Sequence, residues 1–227
     1  MNPRDYITFI GRPRHDLITP ALILDLDIAR DNIANMAAYM RGVPAKLRPH
    51  IKVHKSPELG RMQIEAGESV GLTTATVWEA VVMVRGGIND ILVANEVVGE
   101  EKIRTLAELA REAHVIAAID DAQNAEDLSS AALKAGSALG VLIDLDVGME
   151  RCGVRTKEEA LRLAQHVSGL RGLRFELPLV PLNIEDIPQL VRRQLQNLQV
   201  SIGVRPLHCA LLTITNCLFR FGLTRIV

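Results

Sequence analysis

The residues with the most chemical content lie in Arg48-Pro49-His50-Ile51-Lys52-Val53-His54-Lys55. A lysine can attack a carbonyl carbon as its neutral amine, and a histidine can carry protons near neutral pH. Read as a β-strand, the stretch puts Arg48, His50, Lys52 and His54 on one face. Pro49, Ile51 and Val53 fall on the other. Ser56-Pro57 follows at once, an N-cap residue with proline at the first helical position. A strand that feeds straight into a helix belongs to α/β folds, in which helices cover one sheet face. In a closed barrel the polar face then points inward, and burial favours the neutral, nucleophilic amine of Lys52. The other reading is an edge strand whose charged row faces water.

The two histidines do not form a shared metal site on such a strand. Residues four apart are separated by roughly 13 Å, too far to ligate one ion. His54, nearer the strand end, is the better acid/base candidate. Its bland equivalent is a histidine held by a hydrogen bond to a neighbour.

The elements that must position these groups follow a regular alternation. Thr19-Pro20 opens an apolar run of strand type, Ala21 to Asp25, and Asp27 can cap a helix through about Met40. After the Lys52 strand come a helix from Ser56, a strand from Ser69 to Thr73, and a helix opened by the capping-box pattern Thr76 to Glu79. Strands at Asp90 to Ala94, His114 to Ile119, Leu139 to Leu145 and Leu173 to Glu176 then alternate with helices. Those helices begin near Gly99, Asp121 and Thr156, where Thr156 to Glu159 is a second capping box. Such alternation is the signature of parallel βα units. No GxGxxG or GxxxxGK[ST] follows any strand, so dinucleotide and P-loop readings lack support. A (β/α)8-type barrel is the preferred architecture and a doubly wound open sheet the alternative. In a barrel the chemistry sits at the C-terminal ends of the strands, where Lys52, His54 and the Gly148 to Gly153 loop would meet.

Composition narrows the partners. The 227 residues carry a net charge of -1, which offers nothing to attract nucleic acid or an anionic membrane. With 4 Phe, 2 Tyr and 1 Trp, the core must be aliphatic. Three cysteines, Cys152, Cys209 and Cys217, show no CxxC spacing and suit a reducing, cytoplasmic compartment. No signal-peptide pattern and no apolar run of membrane-spanning length is present, so a soluble protein is expected. The expected organisation is an arm over 1–18, a barrel portion over 19–176 and a divergent tail over 177–227. From Gln189 to Val227 there are five arginines but no Asp, Glu or Lys. That shift reads as a different module or as a sequence that does not complete a barrel. One helix after Pro188 and one strand from Ala210 to Ile214 are the elements expected there.

Four stretches carry a family resemblance: Thr19 to Asp25, Arg48 to Lys55, Glu68 to Gly99 with its Ala94-Asn95-Glu96-Val97-Val98-Gly99, and Asp144 to Gly153. Together they resemble the D-threonine aldolase and D-serine dehydratase family, pyridoxal-phosphate (PLP) enzymes of the alanine-racemase-like barrel type. The resemblance spans roughly residues 19–175, and Arg48-Pro49-His50-x-Lys52-x-His54-Lys55 is its most specific piece. It implies a PLP-binding barrel in which Lys52 forms the Schiff base and Arg151 faces the phenolic oxygen of the cofactor. A guanidinium suits that place because it stays cationic and planar. Read from the residues alone, Arg151 pairs equally well with Asp144 or Asp146. Asn95, just past its strand, lines the cofactor pocket or simply serves a turn, and Cys152 reads as packing.

The resemblance further implies a PLP-dependent lyase acting on D-β-hydroxy amino acids, by retro-aldol cleavage or by dehydration. An amino-acid racemase of the same fold is the alternative, as is a non-catalytic PLP-binding protein or inactive fragment. The implied partner is a small D-amino acid, and a homodimer is compatible with it. The family also carries a divalent metal held by His and Asp or Cys of a C-terminal β domain. Neither those ligands nor that domain has a counterpart in this sequence; His208 and Cys209 do not sit in the motif. The expected fold is therefore an incomplete barrel, with little lyase activity from the chain alone.

Overall fold

The computed structural model describes residues 7–41, 46–146, 148 and 150–176, together with the backbone of 180–181 and 211–213. Six helices are described: α1 (Leu26–Met40), α2 (Pro57–Glu65), α3 (Val77–Arg85), α4 (Glu100–Leu109), α5 (Ala122–Ala135) and α6 (Lys157–Ser168). Eight strands accompany them. These are β1 (Lys46–Leu47), β2 (Leu72–Thr74), β3 (Asp90–Glu96), β4 (His114–Ile119), β5 (Leu139–Ile143), β6 (Leu173–Phe175), β7 (Val180–Pro181) and β8 (Leu211–Thr213).

Local chemistry explains most boundaries. Ser56, Thr76, Asp121 and Thr156 each accept a backbone N–H two or three positions into the following helix, satisfying donors a helix cannot satisfy itself. The Thr156–Glu159 box is complete. At Thr76 only half of it forms, because Glu79 reaches one residue further back, to Ala75 N at 2.8 Å. Gly136 ends α5 in the left-handed region at φ 65°, which costs glycine little.

Strands β2 to β6 lie side by side in chain order, all parallel. Ile91, Val93, Val115, Ala117, Ile119, Val141 and Ile143 point outward into one large core. There they meet Met83 of α3, Leu106 of α4, Leu128 of α5 and Leu163 of α6. Each such fully buried aliphatic side chain is worth about 1.5–3 kcal/mol. The opposite face carries a second, small core of Leu92, Ile116, Ala118 and Leu142. Helices packed into a single core on one sheet face, with small side chains opposite, are the layering of a βα barrel. A doubly wound sheet, with helices on both faces, is excluded for this region. No aromatic side chain is buried among the described residues, as the composition requires.

The strand expected from Arg48 to Lys55 is cut short. Only Lys46–Leu47 is regular strand, and His50 adds one parallel bridge to Thr73. Ile51–Val53 then forms a turn of 3-10 helix, capped by the His50 side chain accepting Lys52 N. The strict alternation of faces is therefore lost. Arg48 is buried and Ile51 joins the helix-facing core, while Lys52 is exposed rather than buried in the barrel. Ala21 to Asp25 is not a strand either. It holds a single bridge residue at Leu22, and Asp25, not Asp27, caps α1 by accepting from Asp27 N and Ile28 N.

The strand expected within 210–214 is present as β8. It pairs parallel with β1 (Lys46↔Leu211) and with β7 (Val180↔Leu212). Residues 211–213 thus pair with the β1 edge. The helix expected after Pro188 lies outside the described residues. No described helix is long and apolar enough to cross a membrane.

A chain of polar contacts spans the sheet, from Arg48 just after β1 through Asp90 and His114, the first residues of β3 and β4, to Glu176 just after β6. Arg48 Nη1 donates to Asp90 Oδ1 at 2.5 Å, and His114 bridges Asp90 Oδ2 at 3.2 Å and Glu176 Oε1 at 3.1 Å. Arg174 Nε completes it on Glu176. Gly71 lies against Arg48; a Cβ there would collide with the guanidinium. This network ties neighbouring strands together, and the chemistry is sought at the C-terminal strand ends.

Candidate active site

Lys52 follows the His50 bridge, at the C-terminal side of β1. Three lysines punctuate this segment, and their partners differ. Lys46 Nζ lies 3.2 Å from Glu68 Oε2, and Lys55 Nζ lies 3.0 Å from Glu79 Oε1. Lys52 makes no side-chain hydrogen bond or ion pair among the described residues.

The histidines beside it divide the roles. His50 accepts Lys52 N on Nδ1 at 3.2 Å and makes a backbone hydrogen bond with Thr73. Burial, and then the Lys52 charge, push its pKa down to about 4, so the ring is neutral at pH 7. His54 is half-buried and fully engaged. Nδ1 accepts Ser56 N at 3.1 Å, and Nε2 meets Gln63 Oε1 at 3.2 Å. Burial lowers its pKa as well. Those contacts hold the start of α2, while the His50 ring lies against the Lys52 main chain.

Arg151 lies in the loop between β5 and α6 and is exposed. It forms no ion pair among the described residues: Asp146 meets Arg155 at 3.7 Å, and Asp144 receives the Cys152 thiol. The loop is tied down around it. Gly153 N donates to Asp120 Oδ2 at 2.9 Å, and Val154 returns to Asp144 and Asp146 through two backbone hydrogen bonds. Gly153 sits at φ 98°, and a Cβ there would come within 2.7 Å of Asp146 N, so glycine is required. Asn95 is exposed and donates to Ala75 O at 3.4 Å, linking β3 to the loop before α3.

Sequence reasoning missed an acidic group at the same end of the sheet. Glu96, Asp120 and Asp144 each close or directly follow a strand, and Asp144 is buried. Burial first, then Glu96 and Asp120, raise the pKa of Asp144 to about 6. Cys152 is not core packing. The residue is exposed, and its Sγ donates to Asp144 Oδ2 at 3.3 Å. Burial and the facing carboxylates push the thiol up to about 12. Aligning the strand ends, with Asp120 and Asp144 one step past an apolar run and Glu96 two, is the signal that could have found this group.

The chain matches the family described as alanine racemase, N-terminal domain, over residues 24–214. It belongs to that family. It is 41% identical over 167 residues to 3-hydroxy-D-aspartate aldolase of Paracoccus denitrificans (strain Pd 1222), covering 73% of this chain and 43% of that enzyme. It is 39% identical over 165 residues to D-threonine aldolase of an Arthrobacter species, with the same coverage of 73% and 43%. The crystal structure of D-threonine aldolase from Filomicrobium marinum superposes with a TM-score of 0.72 at 40% identity, over 75% of this chain and 46% of that one. The chain thus spans less than half the length of these relatives.

Membership implies PLP as cofactor, and the residues present fit it. An aldehyde-bearing, anionic cofactor needs an amine not committed to a carboxylate, and Lys52 differs from Lys46 and Lys55 in being so. The unpaired Arg151 guanidinium offers a cation for an anionic oxygen.

Proposed function

We propose that this chain carries the lysine-bearing barrel of a PLP-dependent lyase acting on D-β-hydroxy amino acids. The observation that carries this reading is the uncommitted Lys52 amine beside a neutral His50, between two lysines that are paired. The likeness to two aldolases at 39–41% identity supports the substrate class.

Lys52 would hold the cofactor through its amine, and Arg151 would face the cofactor's phenolic oxygen. When bound, PLP supplies the electron sink for bond cleavage at Cα. His50 stays neutral through burial and the Lys52 charge, and would orient Lys52 through the main-chain N–H that its Nδ1 accepts. Asn95 holds the loop before α3 in place at the pocket edge.

Two measurements test the reading. Borohydride treatment of the PLP-mixed chain should fix a label that peptide mapping finds on Lys52. A label on Lys46 or Lys55 contradicts the assignment. Cleavage of D-threonine or 3-hydroxy-D-aspartate to glycine and an aldehyde, with PLP and a divalent metal supplied, should be low from the chain alone, and Lys52→Ala should abolish what is detected. Racemisation of D-alanine without cleavage of either substrate would favour the racemase reading.

A further inference from the structure

The three groups Glu96, Asp144 and Cys152 converge at the C-terminal end of the sheet from three places: the last residue of β3, the residue after β5, and the loop before α6. One ligand atom from each lies within 4.8 Å of the other two. We propose that they form a binding site for one divalent cation of borderline softness, of the Zn2+ type, which pins the loop carrying Arg151.

The donor set decides the class of ion. Two carboxylates and a thiolate suit Zn2+ or Co2+, whereas Mg2+ and Ca2+ take oxygen ligands alone. The geometry is close to what such an ion needs. A tetrahedral site with bonds of about 2.1–2.3 Å places its ligand atoms about 3.4–3.6 Å apart. Cys152 Sγ already stands 3.3 Å from Asp144 Oδ2. Small side-chain rotations bring in Glu96. Three protein ligands leave a fourth position open.

A second observation points the same way. Asp144 is only 8% exposed, yet its Oδ1 has no hydrogen-bond donor, and Glu96 Oε1 is buried without one as well. Buried carboxylate oxygens that face each other without donors need a positive partner, either a proton held between them or a cation. Binding therefore releases the thiol proton and any proton shared by the two acids. These ligands come from the end of β3 and from the segment between β5 and α6, whereas the resemblance assigns the family's metal ligands to a C-terminal β domain. The inference needs no PLP and does not rest on the lyase reading.

Titrating the chelator-treated, PLP-free full chain with Co2+ tests it by absorbance. One equivalent should produce a thiolate-to-cobalt charge-transfer band. Cys152→Ala, a change at an exposed position, should remove that band while circular dichroism stays native. Glu96→Gln should weaken Co2+ binding at least about tenfold. Zn2+ should displace Co2+ stoichiometrically, and millimolar Mg2+ should not. No band from the folded wild-type chain overturns the proposal. So does a band that survives Cys152→Ala, which would place the ion on Cys209 or Cys217, and so does unchanged affinity in Glu96→Gln.

Discussion

The Nδ1 atom of His50 accepts the backbone N–H of Lys52 at 3.2 Å, so the ring beside the candidate nucleophile is oriented by that nucleophile's own main chain. The same contact starts the 3-10 turn that lifts Lys52 off the strand. Position and protonation are coupled here, because the Lys52 charge and burial together keep the ring neutral.

This coupling predicts a pH effect on stability. In the unfolded chain His50 takes up a proton near its ordinary value of 6.5, and in the folded chain only near 4. Between those values the unfolded state binds more protons, so the His50 contribution is complete above 6.5 and is lost as pH falls toward 4. Burial moves His54 in the same direction. Asp144, raised from 3.8 to about 6, works the opposite way, its contribution fading as pH rises through 6. Urea midpoints for wild type and His50→Gln at pH 7, 5.5 and 4.5 separate the two. The wild type should lose more stability on acidification than the variant, and parallel curves would contradict the burial of His50.

Arg48 and Asp90 supply the second prediction. Arg48 is 2% exposed and its guanidinium rests on the Asp90 carboxylate. Asp90→Ala leaves that charge buried with no counter-ion and should cost about 3–5 kcal/mol. Arg48→Met removes the buried charge itself and should cost clearly less. Equal losses in urea denaturation would mean that the pair is not desolvated.

Gly153→Ala tests the loop that carries Arg151. The positive φ and the close Asp146 and Leu145 backbone leave no room for a Cβ. A loss of about 1–3 kcal/mol is expected, with faster amide exchange at Gly153 and Val154. Native exchange in the variant would show that the loop tolerates another backbone conformation.

Arg151→Ala should behave differently. The side chain is exposed and unpaired among the described residues, so the melting temperature should not move. On the proposed role, a charge-assisted contact to the cofactor would be worth about 1.5–3 kcal/mol, so PLP retention should fall about ten- to hundredfold. A drop in melting temperature without a change in PLP retention would assign Arg151 to structure.

The sequence by itself determined the βα order, because caps such as Ser56-Pro57, Thr76 and Thr156 act within three residues of themselves. Which strand face meets the helices was not legible, because Ile91-Leu92-Val93 and Val115 to Ile119 are apolar on both faces. The run from Arg48 to Lys55 marked Lys52 as the candidate nucleophile. The alternation rule failed inside that same run. A side-chain acceptor, His50 Nδ1, outcompeted the strand ladder for Lys52 N, and neither periodicity nor propensity registers such a contest. Only the tertiary structure brought Glu96, Asp144 and Cys152 together, across 56 residues of sequence numbering from Glu96 to Cys152. Parallel strands bring their C-terminal ends side by side whatever separates them along the chain. Which end groups then share a proton or an ion depends on register, and the register of β3, β4 and β5 is set by helix packing on the far face.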